Sequence, residues 1–199
     1  MKALKWIVGI LVVLFLLGYF VGLPYLREQT KKHSPERTAS YTERGFDLQV
    51  TYCSPSKKGR EIFGGLVPYG KVWRTGANEP TTFTTGTAIH LGFGTQAEGD
   101  GTLEPGTYSL WTIPGPDQWT VIFNREVPDW GVTLSSLGRK TTRNPAADVL
   151  SLDVPVLRES GRPEVVEAFT IDFATPNGPG ALFLEFAWDT VRVLVPIHR

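Results

Sequence analysis

An uncharged run near the N-terminus constrains this chain more than any other feature. From Trp6 to Leu26, 21 consecutive residues carry no charge. At ~1.5 Å per helical residue, this run spans the ~30 Å hydrocarbon core of a bilayer. Trp6 lies at one end and Tyr19 and Tyr25 lie toward the other, where interfacial aromatic residues are favoured. The sequence therefore predicts one transmembrane helix over residues 6–26, with these three aromatic residues as membrane anchors.

A cleaved signal peptide is the competing interpretation of this segment. It requires a shorter apolar core and a small-x-small cleavage site. Here the run ends in Gly22-Leu23-Pro24-Tyr25, and no Cys follows directly to make a lipoprotein signal. We therefore expect an uncleaved single-pass anchor in a bacterial inner membrane. A short N-terminal stub before a long C-terminal domain is typical of a signal anchor, so residues 1–5 are expected in the cytoplasm and the body in the periplasm.

The net charge of zero is the sum of two unequal parts. Residues 1–35 carry five basic residues against one acidic residue, a balance of +4, whereas residues 36–199 carry 15 against 19, a balance of −4. A basic head suits anionic lipid headgroups, which makes the bilayer the first expected partner. The acidic body lacks the basic footprint of a nucleic-acid binder. Residues 27–40 are polar, contain Ser34-Pro35 and have no apolar periodicity, so they predict a tether.

The body has the period-2 pattern of β-strands. Phe46, Leu48, Val50 and Tyr52 alternate with polar residues, which gives one apolar face. Five similar runs, each bounded by turn residues, are Thr87–Phe93, Thr107–Ile113, Gln118–Asn124, Asp148–Val154 and Val165–Phe173.

The clearest pair of strands closes the chain. Apolar residues alternate over Leu182–Trp188 and again over Val191–Ile197, and Asp189-Thr190 separates the two runs. A two-residue hairpin pairs position 188 with 191, which keeps both apolar sets on one side of the sheet. We therefore predict an all-β body over residues 41–199, an antiparallel β-sandwich of about eight to ten strands.

The stretch Tyr52–Phe83 carries a family resemblance. Its blocks Lys57–Gly64 and Leu66–Glu79 are long and specific, and Gly106–Pro114, Trp119–Asn124 and Leu184–Ile197 add to them. Together they resemble a bacterial family known as domain of unknown function 2911, over about Tyr41 to Ile197. The resemblance implies an exported protein of β-rich fold and supplies no activity or catalytic residue. One departure is Cys53-Ser54, where relatives carry Ser followed by Arg or Ser.

A concentration of cations in this stretch predicts a binding site. Anion or carboxylate binding would use the cations, with Tyr69 and Trp73 stacking on a ligand and Asn78 or Glu79 orienting it. In the alternative, Lys57 and Lys58 lie in a solvated turn and Arg74 pairs internally with Glu79 or a backbone carbonyl. The candidate residues are Lys57, Lys58, Arg60, Tyr69, Lys71, Trp73, Arg74, Asn78 and Glu79.

Metal and nucleotide sites find little support. Gly65–Lys71 has the spacing of a phosphate-binding loop, but Pro68 removes an amide and Val72 stands where Ser or Thr is needed. The three histidines are His33, His90 and His198. Together with Cys53 they could form a copper site only if the fold brought them together. We therefore expect no metal and no cofactor.

Catalytic constellations are also lacking. Cys53 has no nameable basic partner and is expected to be a packed thiol. The G-x-S-x-G motif of serine hydrolases does not occur. A glycosidase needs two carboxylates across a cleft, and the sequence does not indicate which of the available carboxylates would form that pair. These carboxylates are Glu79, Glu98, Asp100 and Glu104. We expect no catalytic residues.

Two functions remain as hypotheses. The first is a non-catalytic accessory subunit of a larger inner-membrane complex, for example in respiratory or photosynthetic electron transfer. It would contact other subunits through the helix and the β-domain. Leu110 and Trp111 point to opposite sides of their strand, so one of them is expected to face outward or toward a neighbour. The alternative is an exported small-molecule or glycan binder, or an uncharacterised enzyme, that uses the Lys57–Glu79 region.

Overall fold

The N-terminal segment is helical over its whole described length. The computed structural model describes residues 2–93, 97–98, 101–133, 140–157, 164–176, 178 and 180–199. Helix α1 (Lys2–Leu17) passes through a π-helical turn (Gly18–Gly22) into α2 (Leu23–Lys31). Lys5–Lys31 has a mean hydropathy of 2.6, and its most apolar window is entirely unburied. The predicted apolar helix is therefore confirmed, and its length and composition suit a membrane anchor or a signal sequence.

The described residues of the body form strands joined in one antiparallel sheet. The strands are β1 (Glu36–Tyr41), β2 (Leu48–Cys53), β3 (Thr81–Thr85), β4 (Ile89–Leu91), β5 (Ala97–Glu98), β6 (Thr102–Leu103), β7 (Gly106–Ile113), β8 (Gln118–Asn124), β9 (Asp148–Leu157), β10 (Val166–Ala174), β11 (Leu182–Asp189) and β12 (Val191–His198). A short 3-10 helix, Pro145–Ala147, precedes β9.

The sheet curves until its two ends meet. Its main strand order is β1-β2-β3-β7-β8-β9-β12-β11-β10, with β4, β5 and β6 attached at the side. The chain that follows β2 then hydrogen bonds to β10: Lys57 N donates to Glu167 O at 2.7 Å, and Phe169 N donates to Pro55 O at 2.9 Å. The result is a nearly closed antiparallel structure, which confirms the predicted all-β fold with its preceding helix.

The C-terminal hairpin has the predicted register. Trp188 pairs with Val191 across the two-residue connection, and Leu184 pairs with Val195 further along. Asp189 takes a φ of 55°, a left-handed conformation that Asp tolerates and that tight hairpin turns require. The alternating apolar residues of β11 and β12 are buried, except that Val191 is partly buried against the core. This hairpin therefore contributes one continuous wall of the core.

Two strands come from segments that lack apolar alternation. β1 is a mostly exposed edge strand, and its sequence ERTASY places only Ala39 and Tyr41 against the core. Charged residues suit such an edge. β3 buries Thr81, Phe83 and Thr85 on its inner side, where a single apolar residue gives no visible period. The segment expected as a tether over 27–40 is thus helical up to Lys31 and extended from Glu36. Only residues 32–35 connect the two elements.

Both faces of β7 are covered. Leu110 points into the main core and Trp111 points to the other side, yet each is 0% exposed. The chain after β8 lies over that second face, where Ser109 Oγ donates to Glu126 O at 2.7 Å and Asn124 Nδ2 donates to Asn144 O at 2.7 Å. The expectation that Leu110 or Trp111 faces outward is therefore corrected: both are internal residues.

We predict that replacing Phe123 by Ala lowers the free energy of unfolding by about 3–5 kcal/mol, because a large buried ring leaves a cavity. Phe123 is 0% exposed, and its ring centroid lies 5.3 Å from that of Phe83. Urea denaturation of the full chain in detergent, followed by tryptophan emission, measures the change. Gln118→Ala is the control on the exposed face of the same strand and should change stability by less than about 0.5 kcal/mol. A loss below about 1 kcal/mol for Phe123→Ala would contradict the assigned core.

Candidate functional site

The long connection between β2 and β3, residues 54–80, forms the candidate site. It places Ile62, Phe63 and Val67 in the main core, and Trp73 packs against that core. Ser54 Oγ, at its start, donates to Phe169 O at 2.7 Å, which fixes this connection to β10. The connection is therefore an integral part of the domain and not a surface loop.

Trp73 is the centre of an aromatic cluster. Its ring centroid lies 5.0 Å from that of Phe169, 6.1 Å from that of Trp188, 6.2 Å from that of Phe63 and 6.2 Å from that of Trp119. Its backbone exchanges two hydrogen bonds with Thr112, of 2.7 and 3.0 Å. Each aromatic pair of this kind stabilises the fold by ~0.5–1.5 kcal/mol beyond the hydrophobic contribution of burying the rings. The position of Trp73 is thus fixed by both side chain and backbone.

The turn after Trp73 is tightly constrained. Thr75 is fully buried with a φ of 55°, an unfavourable conformation for a β-branched residue. The carbonyl of Thr75 accepts a 2.6 Å hydrogen bond from Thr81 Oγ1, and Trp73 Nε1 donates to Gly76 O at 3.0 Å. Gly76 has a φ of 152°, and a Cβ there would lie 2.8 Å from Cys53 O, so only glycine fits. This backbone strain lies directly beside Arg74.

Arg74 is a cation that lacks an internal partner at its Nε. This atom is buried and has no hydrogen-bond partner, and the same is true of Asn78 Nδ2. Burial lowers the pKa of the Arg74 guanidinium, and no described carboxylate counteracts the loss of solvation. The side chain packs directly on Gly131, where a Cβ would collide with its aliphatic part. The alternative pairing of Arg74 with Glu79 is not present: Glu79 accepts from Cys53 Sγ at 3.4 Å and lies 3.9 Å from Lys31 Nζ.

A cavity of about 370 Å³ lies on one side of Trp73 and Arg74. We call it the Arg74 cavity. Four basic residues line it, and none of the described residues that line it is Asp or Glu. The apolar part of its wall consists of Leu66, Trp73 and Trp188. Its basic residues are His33, Lys58, Arg60 and Arg74.

A second cavity, of about 600 Å³, adjoins the same two residues. Trp73 and Arg74 line it together with Lys71 and Lys140, and its described lining again contains no acidic residue. Arg74 therefore borders two basic cavities in a body whose overall charge is −4.

The predicted candidates separate into three groups. Lys58, Arg60, Trp73 and Arg74 meet at the Arg74 cavity, and Lys71 lies at the second cavity. The remaining four line neither cavity in the described structure. These are Lys57, Tyr69, Asn78 and Glu79.

The residues outside the cavities have other contacts. Lys57 Nζ forms an ion pair of 2.5 Å with Asp189 at the hairpin turn, so it is not in a free solvated turn. Tyr69 is exposed and its ring lies over Gly64. His33 and Ser34 line the Arg74 cavity, and sequence reasoning missed both. They lie some forty residues before Arg74, in the expected tether, and no local pattern marks them.

Cys53 is a buried thiol beside Glu79. Burial, and then the charge of Glu79, raises its pKa from 9.0 to about 11. At neutral pH the thiol is therefore protonated and acts as the donor to Glu79 Oε2. A thiolate nucleophile is disfavoured in this environment.

Two of the three histidines meet across strands. His198 of β12 pairs with His90 of β4, and His90 Nδ1 lies 3.1 Å from Thr102 Oγ1. Among the described residues, no group of three or more His, Cys, Asp or Glu side chains has the arrangement of a metal site. Of the carboxylates considered for a glycosidase pair, Asp100 lies outside the described residues.

The family model described as "Protein of unknown function (DUF2911)" matches residues 34–197, and the chain belongs to this family. The match includes Ser34 and the whole of β1, so it begins before Tyr41, where the resemblance was expected to start. No curated protein and no solved structure matches the chain.

We predict that native Cys53 reacts slowly with iodoacetamide. A pKa of about 11 in place of 9.0 lowers the thiolate fraction at pH 8 about 100-fold. The folded chain holds the Cys53 proton more tightly than the unfolded chain, because the pKa is higher in the folded state. The protonated thiol therefore contributes fully to the free energy of unfolding below pH 9, and this contribution is lost as the pH rises toward 11. The measurement compares alkylation rates of the native chain and of the chain unfolded in urea. Cys53 is the only cysteine, so equal rates in the two states would contradict the buried, protonated thiol.

Proposed function

We propose that this DUF2911 protein is a membrane-anchored, exported β-domain that binds a small anionic ligand in the Arg74 cavity. One observation carries the proposal: Arg74 Nε is buried without a hydrogen-bond partner, and no described carboxylate compensates its charge. A cation that is partly buried with an unpaired Nε lowers stability, because it loses hydration without gaining a counter-charge. An anionic ligand would supply both the counter-charge and the missing acceptor.

The cavity chemistry favours a carboxylate or a phosphate. A guanidinium presents a planar set of donors that binds the oxygens of these groups in pairs. His33, Lys58 and Arg60 add further basic groups around the same space. A volume of about 370 Å³ lies within the ~300–1,000 Å³ range of small-molecule sites. Trp73 and Trp188 provide aromatic wall for the uncharged part of the ligand.

The rim of the cavity is organised before any ligand arrives. Arg60 Nη2 donates to Ser56 O at 2.6 Å and Arg60 Nε donates to Lys57 O at 3.0 Å, so this side chain is fixed against its own turn. Lys58 N donates to Glu167 Oε1 at 2.8 Å, which ties the same turn to β10. Little ordering is then required on binding, which favours affinity.

The helix supports the membrane part of the proposal. Its apolar run exceeds that of a signal peptide, and no cleavage pattern follows it. In this proposal the N-terminal side of the helix lies in the cytoplasm and the β-domain lies in the periplasm of a bacterial inner membrane.

We predict that Arg74→Met abolishes the binding of inorganic phosphate and leaves the free energy of unfolding equal to or above that of the wild type. Replacing a partly buried charge whose Nε is unpaired with an apolar side chain of similar length removes a cost without opening a cavity. The full chain in detergent is titrated with phosphate at constant ionic strength. Tryptophan emission reports binding, because Trp73 and Trp188 line the cavity.

The control is Arg125→Met, which removes one exposed positive charge away from the Arg74 cavity. Trp73→Ala is not informative, because Trp73 contacts four other aromatic rings and its loss would unfold the site. If Arg74→Met binds phosphate like Arg125→Met, or if it mainly destabilises the domain, then Arg74 is structural and the proposed function is wrong.

A second candidate function is that of an accessory subunit in an inner-membrane complex. The feature that favours it is the helix, whose most apolar window is entirely unburied. That surface is available to other transmembrane helices as well as to lipid. Purification in mild detergent tests this role: we expect a complex with other membrane proteins that survives a salt wash. A monomer without co-purifying proteins at every salt concentration would contradict it.

A further inference from the structure

The Arg74 cavity is built partly by the end of the membrane helix. Lys31, the last residue of α2, donates to Glu36 Oε2 at 2.9 Å, and its Nζ lies 3.9 Å from Glu79 Oε1. These contacts join the helix end to β1 and to the residue that ends the turn after Trp73. Two residues later, His33 and Ser34 form part of the cavity wall. The cavity therefore lies where the helix meets the β-domain.

The length of the polar part of α2 sets the height of the cavity above the bilayer. The uncharged run ends at Leu26, and residues 27–31 continue as helix. At ~1.5 Å per residue they rise about 8 Å, which compares with ~5–8 Å for one headgroup layer. His33 then lies at the outer surface of the headgroups. A ligand in this cavity is within reach of the lipid phosphates.

The charges and the rim of the cavity fit such a ligand. Its basic lining contrasts with the −4 balance of the body, so the acidic domain presents a basic site at the place where anionic headgroups lie. Leu66 lines the cavity and is 47% exposed. An exposed apolar side chain at the rim suits the glycerol next to a bound lipid phosphate, whereas a small inorganic anion has no apolar part for it to contact.

We propose that the Arg74 cavity binds the phosphate of an anionic phospholipid from the bilayer that holds the helix. This inference rests on the proposed anion-binding function and names the source of the anion. The shared chemistry is a phosphate ester held by Arg74, Lys58 and Arg60. The competing source is free phosphate in solution.

The experiment compares lipid binding by the full chain and its variants. The protein is purified in mild detergent, delipidated by extensive washing, and supplied with phosphatidylglycerol or with phosphatidylcholine of the same acyl chains. Native mass spectrometry counts the bound lipid. We expect one phosphatidylglycerol per wild-type chain, and binding about 10- to 100-fold weaker in Arg74→Met, as for loss of a charged hydrogen bond. Phosphatidylcholine, which has no net charge, should bind at least about tenfold more weakly than phosphatidylglycerol.

Two further variants complete the test. Arg125→Met removes a positive charge outside the cavity and should bind phosphatidylglycerol like the wild type. Lys58→Met changes an exposed cavity residue and should weaken binding severalfold, which keeps the test valid if Arg74→Met does not fold.

The outcomes separate the two proposals. Equal lipid binding by wild type and Arg74→Met would place the lipid along the helix and overturn the inference. If phosphatidylglycerol does not bind while inorganic phosphate still changes the tryptophan emission of the wild type but not of Arg74→Met, the ligand is soluble. The lipid inference is then wrong and the anion-binding function stands. If neither lipid nor phosphate binds, both proposals are wrong.

Discussion

The packing of Trp73 is the interaction on which the site depends. Its ring lies among four other aromatic rings, and its backbone is paired with Thr112 of β7. A 27-residue connection without regular strands would otherwise lose a large conformational entropy on ordering. Burying Trp73 together with Phe63 offsets that loss and fixes the connection to the core. The side chain that follows Trp73 then has little freedom of position.

Arg74 is held in a position that stability alone does not favour. Its guanidinium Nε has no partner, its neighbour Thr75 is in a left-handed conformation, and Gly131 is needed to leave room for its side chain. Each feature lowers stability when considered separately. Such local violations in an otherwise consistent fold are typical of functional positions. Cys53, by contrast, is buried and donates a hydrogen bond to Glu79. Its environment is therefore that of a packed structural residue.

Sequence patterns predicted those parts of the fold in which one face is apolar and one is polar. The β11–β12 hairpin follows from its alternation and its two-residue turn, and the N-terminal helix follows from its uncharged run. β1 and β3 could not be predicted in this way, because the first is exposed along an edge and the second buries threonines. Threonine hydroxyls can be buried here because backbone carbonyls accept from them, as Thr75 O accepts from Thr81 Oγ1. That compensation depends on the tertiary structure.

The candidate site was predictable only in its local part. Arg60, Trp73 and Arg74 stand out in the sequence as basic and aromatic residues in one short region. The contribution of His33 depends on where α2 ends and on how β1 pairs with β2, which no local pattern contains. Glu79, the partner of Arg74 in the alternative interpretation, lies five residues after it in the sequence. The turn nevertheless places Glu79 beside Cys53 and Lys31. Proximity in sequence was therefore a poor guide to ion pairing in a turn with three left-handed residues, Thr75, Gly76 and Asn78.

The ordered connection between helix and β-domain limits where the domain would lie if the helix spans a membrane. A free tether over residues 27–40 would reach up to ~45 Å and leave the domain independent of the membrane surface. The structure instead places residues 27–31 in α2 and 36–41 in β1, and Lys31 contacts Glu36. Four residues then separate helix from strand, so a helix that spans the bilayer holds the β-domain against the headgroups. An acidic domain held there is repelled by an anionic leaflet unless basic groups lie on the near side. The Arg74 cavity has such groups next to the helix, so under the proposed function its position serves both the orientation of the domain and the capture of an anion.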